Sequence, residues 1–228
     1  QNSGGWYSQS IDTISSSWIH DFPNGAFVGK NDNPNPGKIW KTATDGISGY
    51  KVNENSFLYS PTFDLTSLEK PMIAFDMWLD VEDERFEGAI LEYSTDGENW
   101  FVFGSEGDEL NWYNISNRFP IGGQTSNEDA FAWYFTENQR NWIRVAHSIS
   151  EDLISNFLSV SFRINFRGDR YSGTPIGMAI DNIYVGERQK LVLLESFTNL
   201  NSANYINNRS NVEDLVSSEV GKDVLPMN

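Results

Sequence analysis

From Ser159 the chain reads S-V-S-F-R-I-N-F. On an extended strand Val160, Phe162, Ile164 and Phe166 fall on one side, and Ser161, Arg163 and Asn165 on the other. Ile73, Phe75, Met77 and Leu79 share a face in the same way. Similar runs cover residues 5–11, 17–22, 38–43, 57–63, 72–81, 89–94, 99–104, 141–149 and 177–186, with turn residues between them. Alternation of this kind belongs to antiparallel sheets with one buried face. About ten such strands over about 185 residues predict a mainly β chain, an antiparallel two-sheet jelly-roll sandwich.

Two stretches break the pattern. N-D-N-P-N-P-G at 31–37 is a loop, because its prolines lack amide donors. Residues 105–140 mix acidic, glycine, asparagine and aromatic residues without steady period. A structureless insertion of that length is unusual, so short strands are expected there, one of them around Trp112.

From Lys190 the grammar changes. K-L-V-L-L-E-S-F-T is a continuous apolar run, the mark of a buried strand. Tyr205, Val212, Leu215, Val216 and Val220 share one face of an expected helix, which Gly221 stops, and D-V-L-P-M-N reads as a second strand. Strand, helix, strand opens an α/β fold, and about 40 residues bury too little surface to stand alone. The expected organisation is a sandwich over 1–187 and, over 188–228, the truncated start of a second domain.

Composition narrows the function. The chain has 39% apolar and 14% aromatic residues, enough for a packed core. Its formal charge of -16 repels phosphate backbones and anionic lipid, which argues against nucleic acid as a partner. There is no cysteine, so disulfides, thiolate metal sites and cysteine nucleophiles are excluded. No apolar run approaches the roughly 18 residues of a membrane span. Gln1 either follows a removed leader or marks an arbitrary boundary.

Residues 94–100, S-T-D-G-E-N-W, approach the Asp-box signature of sialidase propeller blades, S-x-D-x-G-x-T-W. The tryptophan stands one residue too early, and the motif occurs once rather than at a fixed period. Asp96-Gly97 is also a common turn pair, because glycine tolerates positive φ and aspartate bonds the turn amides. A tight hairpin with Trp100 folded over it is the favoured reading.

The order of motifs carries a resemblance. S-F-L-Y-S-P-T-F-D-L-T-S, then P-M-I-A-F-D-M-W-L-D-V-E, G-A-I-L-E-Y-S-T-D-G-E-N-W, V-S-F-R-I-N-F-R-G-D and G-M-A-I-D-N-I-Y-V-G-E follow one another. This arrangement is similar to the MAM-like jelly-roll domains of large exported proteins of Bacteroidota. The paired cysteines of animal MAM domains are absent. L-V-L-L-E-S-F-T-N-L-N-S-A-N-Y resembles the start of thioredoxin-like domains in surface proteins of the same bacteria. Ser202 and Tyr205 occupy the two positions of the C-x-x-C motif. Redox exchange needs a thiolate, so the resemblance implies a kept fold and a lost chemistry.

Candidate chemistry is sparse. His20 and His147 have no local nucleophile or carboxylate partner, and a structural or surface role is expected. Asp80, Glu82, Asp83, Glu84 and Glu87 gather at a strand end, where a solvated loop is the simpler reading than an acid/base pair or a cation site. Asp32 with Asn31, Asn33 and Asn35 offers oxygen ligands of the kind calcium prefers. By resemblance, a structural calcium would join Asp21 or Asp32 to Asp181. Trp112, Tyr113, Trp133 and Tyr134 lie in the irregular segment and are better candidates for stacking on a sugar than the strand tryptophans, but packing on the sandwich is the favoured role.

These readings point to a non-catalytic module for recognition, adhesion or spacing in a secreted or cell-surface multidomain bacterial protein. An accessory subunit of an outer-membrane or secretion complex is a related form. The alternative is a carbohydrate-binding module, or a domain of a glycan-active enzyme. Expected partners are surface proteins, other domains of the same chain or glycans, without direct membrane insertion.

Overall fold

The computed structural model describes residues 3–10, 16–23, 37–42, 50–82, 85–116, 120–121, 130–135, 141–156, 158–168, 177–188, 192–195 and 224–227. The chain divides into two compact units, Gln1–Glu187 and Arg188–Asn228.

The first unit is built on two five-stranded sheets. One holds β1 (Tyr7–Ser10), β4 (Asn55–Asp64), β11 (Ser159–Arg167), β6 (Gly88–Ser94) and β7 (Phe101–Val102), side by side in that order. The other holds β10 (Ile143–Ser148), β5 (Pro71–Asp80), β12 (Gly177–Glu187), β3 (Ile39–Thr42) and β2 (Trp18–Asp21). Every pairing in both is antiparallel. Along the chain, β3 to β6 alternate between the sheets, β7 stays beside β6, and β10, β11 and β12 alternate again. The resulting orders, 4-11-6-7 and 10-5-12-3, are those of an eight-stranded jelly roll. β1 and β2 add one edge strand to each sheet.

The inward faces are the alternating ones. Val160, Phe162, Ile164 and Phe166 are buried, and opposite them so are Ile73, Phe75, Met77 and Leu79. Rings bridge the two layers: Trp18 meets Phe166 edge-on at 6.3 Å. At one end the buried carboxylate of Glu54 ties three segments. It accepts hydrogen bonds from Ser17 Oγ (2.7 Å), Ser56 Oγ (2.6 Å) and the Lys51 amide (2.8 Å).

The irregular segment 105–140 carries a two-stranded hairpin of β8 (Ile115–Ser116) and β9 (Phe131–Ala132). Trp133 then bridges to Ala89 in both directions, at 3.0 and 3.3 Å, beside the start of β6. Three aromatic residues of this segment turn inward. Trp112, Tyr113 and Trp133 are buried, with Trp112 and Trp133 4.9 Å apart and nearly perpendicular. The Tyr113 hydroxyl donates to the Phe103 carbonyl (2.8 Å) and accepts from the Leu91 amide (3.0 Å). Its burial pushes the phenol pKa up.

A short helix, α1 (Glu151–Asn156), links β10 to β11. Ser150 Oγ accepts the Leu153 amide at 3.3 Å, as an N-cap does. In the second unit β13 (Val192–Glu195) pairs in parallel with β14 (Val224–Met227). The helix expected between them, with Ser202 and Tyr205, lies outside the described residues.

Candidate functional site

The S-T-D-G-E-N-W stretch is a self-bonded turn. Asp96 Oδ1 accepts the amides of Glu98 and Asn99, both at 2.8 Å, and Oδ2 accepts Asn99 Nδ2 at 2.7 Å. Ser94 Oγ accepts the Gly97 amide at 2.9 Å, and Gly97 has φ +78. The Asn99 side chain and the turn amides hold the Asp96 carboxyl well below the usual range. The aspartate's oxygens face its own loop, so the motif serves the hairpin.

What the hairpin presents is Trp100. It packs over a row of side chains on the outer face of the first sheet. Tyr7, Tyr59, Arg163 and Glu92 stand opposite one another in register on β1, β4, β11 and β6. The Tyr7 and Tyr59 rings stack at 5.2 Å with planes 9° apart, and Trp100 meets Tyr59 edge-on at 5.4 Å. The Arg163 guanidinium lies 4.0 Å from the Phe57 ring centre and 4.3 Å from that of Trp100. Its Nε donates to Glu92 Oε2 at 2.6 Å and its Nη1 to Tyr59 Oη at 3.2 Å. One charge therefore sits inside an aromatic sleeve and is matched by a buried carboxylate. Tyr7, at the open end, is 53% exposed. Beside the row, Asn165 is fully buried, and neither atom of its amide has a hydrogen-bond partner among the described residues.

A second feature opens at the β2–β3–β12 end of the other sheet. A cleft of about 220 Å³ is lined by Trp6, His20, Lys38, Trp40, Asp181 and Asn182, among others. The His20 ring lies on Trp40, 5.0 Å away and tilted by 31°. Burial lowers the His20 pKa, with help from the Lys38 charge, while Asp181 and Asp21 oppose the shift. Asn182 adopts φ +49 within the irregularity of β12 between Asp181 and Tyr184.

The residues singled out in the sequence are dispersed. Trp112, Tyr113 and Trp133 are core residues and offer no face to a ligand, because their side chains are packed into the hydrophobic core. Tyr134 is half-buried and donates to the Glu82 carbonyl at 3.0 Å. Asp21 is exposed on β2 and Asp181 half-buried on β12, with β3 between them, about 10 Å of sheet width. No three potential metal ligands of the His, Asp or Glu type come together among the described residues, and Asp32 lies outside them. The acidic strand end is not a solvated loop throughout: Asp80 and Glu87 are buried. Glu87 accepts the Tyr50 hydroxyl and, at 2.6 Å, the Glu82 amide. Asp83 and Glu84 are outside the described residues. His147 is bonded to Asp108 Oδ2 (3.2 Å) and packed on Trp112 (4.8 Å), a structural placement.

Sequence reasoning missed Tyr7, Tyr59, Glu92, Trp6, Lys38 and Trp40. The only local sign of the row was that Arg163 alternates away from the apolar face of its strand.

No protein-family model matches the chain, and no curated protein matches it in sequence. Solved structures resemble it in shape. The K1 cleaved adhesin domain of Lys-gingipain from Porphyromonas gingivalis W83 is similar at 11% identity and TM-score 0.44, over 81% of this chain and 91% of that one. The K3 cleaved adhesin domain of the same protein gives 12% identity and TM-score 0.44, over the same shares. The CBM27-1 module of Caldicellulosiruptor saccharolyticus, solved with mannohexaose, gives 15% identity and TM-score 0.33, over 78% of this chain and 94% of that one. What these proteins bind is not transferred by likeness at this level. The class defined by the chain's own topology is a mainly β, two-sheet jelly-roll domain.

Proposed function

We propose that the chain is a non-catalytic recognition module of a secreted or cell-surface multidomain protein, and that the outer face of the first sheet is its contact surface. The observation that carries this reading is the Tyr7–Tyr59–Arg163–Glu92 row with Trp100 over it. Tyrosine, tryptophan and arginine are the residues that dominate binding hot spots. Here stacking and hydrogen bonds already fix most of them, which lowers the entropy cost of association. The row's one positive charge is matched by Glu92, so the contact it offers is aromatic rather than ionic. The chain's net charge of -16 favours neutral or basic partners.

The narrower reading, a MAM-like module of Bacteroidota exported proteins, rests on the motif order, and the jelly-roll topology supports it. Surface location rests on the same resemblance, as does a redox-inactive thioredoxin-like start after Gly186. Sequence beyond Asn228 with further alternating strands and helices would support that start. The calcium ion expected to join Asp21 or Asp32 to Asp181 has its own test. Free calcium at one hundred times the dissociation constant adds about 2.7 kcal/mol to such a site, so melting should rise with calcium and fall with chelator.

The test of the main reading is solid-phase binding of the whole chain to immobilised extracellular proteins and glycans. Binding that Tyr7→Ala weakens at least about tenfold, with melting unchanged, supports it. Undiminished binding by Tyr7→Ala and Trp100→Ala overturns the assigned surface. Hydrolytic turnover abolished by a single carboxylate change overturns the class.

A further inference from the structure

The β2–β3–β12 cleft is separate from the outer-face row and has its own chemistry. Its wall is aromatic: Trp40 with His20 laid against it, and Trp6. Its charged lining residues carry both signs, Lys38 and Asp181, while the Asn182 side chain is taken up by Asp76 at 2.6 Å. An anion would be drawn by Lys38 and repelled by Asp181, and a cation the reverse. A neutral polyol suits both, since each hydroxyl donates one hydrogen bond and accepts others. Whatever bonds Lys38 and Asp181 already make, an ammonium has three protons and a carboxylate about four lone-pair sites. His20 makes no hydrogen bond to another described residue. As a neutral imidazole it has one donor and one acceptor nitrogen, the pairing a hydroxyl group offers in return. At about 220 Å³ the space is below the roughly 300–1,000 Å³ of sites for drug-sized ligands, so it suits one ring rather than a chain of them.

We propose that this cleft binds a single pyranose ring of a neutral sugar, its C–H face against Trp40 and its hydroxyls on His20, Asp181 and Lys38. The ring's apolar face matches the indole, and its equatorial rim meets the polar groups, which form the larger part of the cleft's exposed lining. The binding is independent of the outer-face row, so the two assignments fail separately.

The experiment is a titration of the whole chain with glucose, mannose, galactose and N-acetylglucosamine, read by tryptophan fluorescence and by saturation-transfer NMR of the sugar protons. Glycine and inorganic phosphate serve as zwitterionic and anionic probes. The expected result is saturable binding of at least one sugar near about 1 mM. His20→Ala and Asp181→Asn each weaken it roughly tenfold with melting unchanged, while Tyr7→Ala leaves it intact. The proposal is overturned if none of the four sugars saturates well above about 1 mM. It is equally overturned by saturation with glycine or phosphate alone, or by sugar binding that Tyr7→Ala removes and His20→Ala and Asp181→Asn spare.

Discussion

Arg163 Nε and Glu92 Oε2 lie 2.6 Å apart on adjacent strands, with the carboxylate fully buried and the guanidinium clamped between Phe57 and Trp100. Removing one partner leaves the other charge inside without it, which costs about 3–5 kcal/mol. Arg163→Ala should therefore lower the denaturation midpoint severely. The double change Arg163→Met with Glu92→Met should recover most of the loss, because apolar replacement of a buried pair is close to neutral. Chemical denaturation of the three proteins decides it. Equal loss in the single and double variants would show that packing, not charge pairing, sets the stability there.

Gly104 and Gly97 both have positive φ, +79 and +78, yet their surroundings differ. A Cβ at Gly104 would overlap Trp112 Nε1 and stand 3.0 Å from His147 Nε2. Trp112 cannot give way, because it is buried and its Nε1 donates to the Phe103 carbonyl at 3.1 Å. Nothing stands within 4 Å of a Cβ at Gly97. Gly97→Ala should cost only backbone strain, about 1 kcal/mol, and Gly104→Ala about 3 kcal/mol or more. Thermal melting of the pair checks the order, and a larger loss at Gly97 would contradict the packing described around Trp112.

Asn165 is buried with neither amide atom bonded to another described residue. A buried polar group without partners is a cost to the fold, and a leucine has similar shape without that demand. Asn165→Leu should raise stability by about 1–2 kcal/mol. A loss instead of a gain would reveal a bonded water at that position.

His20 has a pKa below its ordinary 6.5, chiefly from burial. The unfolded chain then binds its proton more readily than the folded one. Stability is complete above about pH 6.5 and declines as pH falls toward the lower folded value. His20→Gln removes this component, so the stability of the unaltered protein relative to the variant should fall as pH drops below about 6.5. The imidazole proton shift, followed by NMR between about pH 7.5 and 5, gives the midpoint directly. A midpoint above 6.5 would reverse the sign.

The strands were legible because their partners are buried faces with period two. β5 and β11 could be read from Ile73–Leu79 and Val160–Phe166 alone. α1 was not, since six residues carry too little of a helical period. The row on the first sheet was illegible for another reason. Tyr59 and Arg163 are 104 residues apart and Glu92 and Arg163 are 71 apart, so nothing local joins them. The same distance effect hid Glu87, whose buried partner Tyr50 is 37 residues earlier. Trp112 and Trp133 were ambiguous because an irregular segment allows exposure as well as packing; packing is the role the sequence favours, and both are buried.

The two strands at the heart of the sheets, β11 and β12, come last in the first unit. A ribosome releases residues 159–187 only after every neighbour they must join has left the tunnel. Until then β4 and β6 have no strand to join them, and neither do β5 and β3. The nascent chain thus has no completed half to settle into, and its sheets close in one late, long-range event. Such a unit stays threadable for as long as residues 159–187 are withheld.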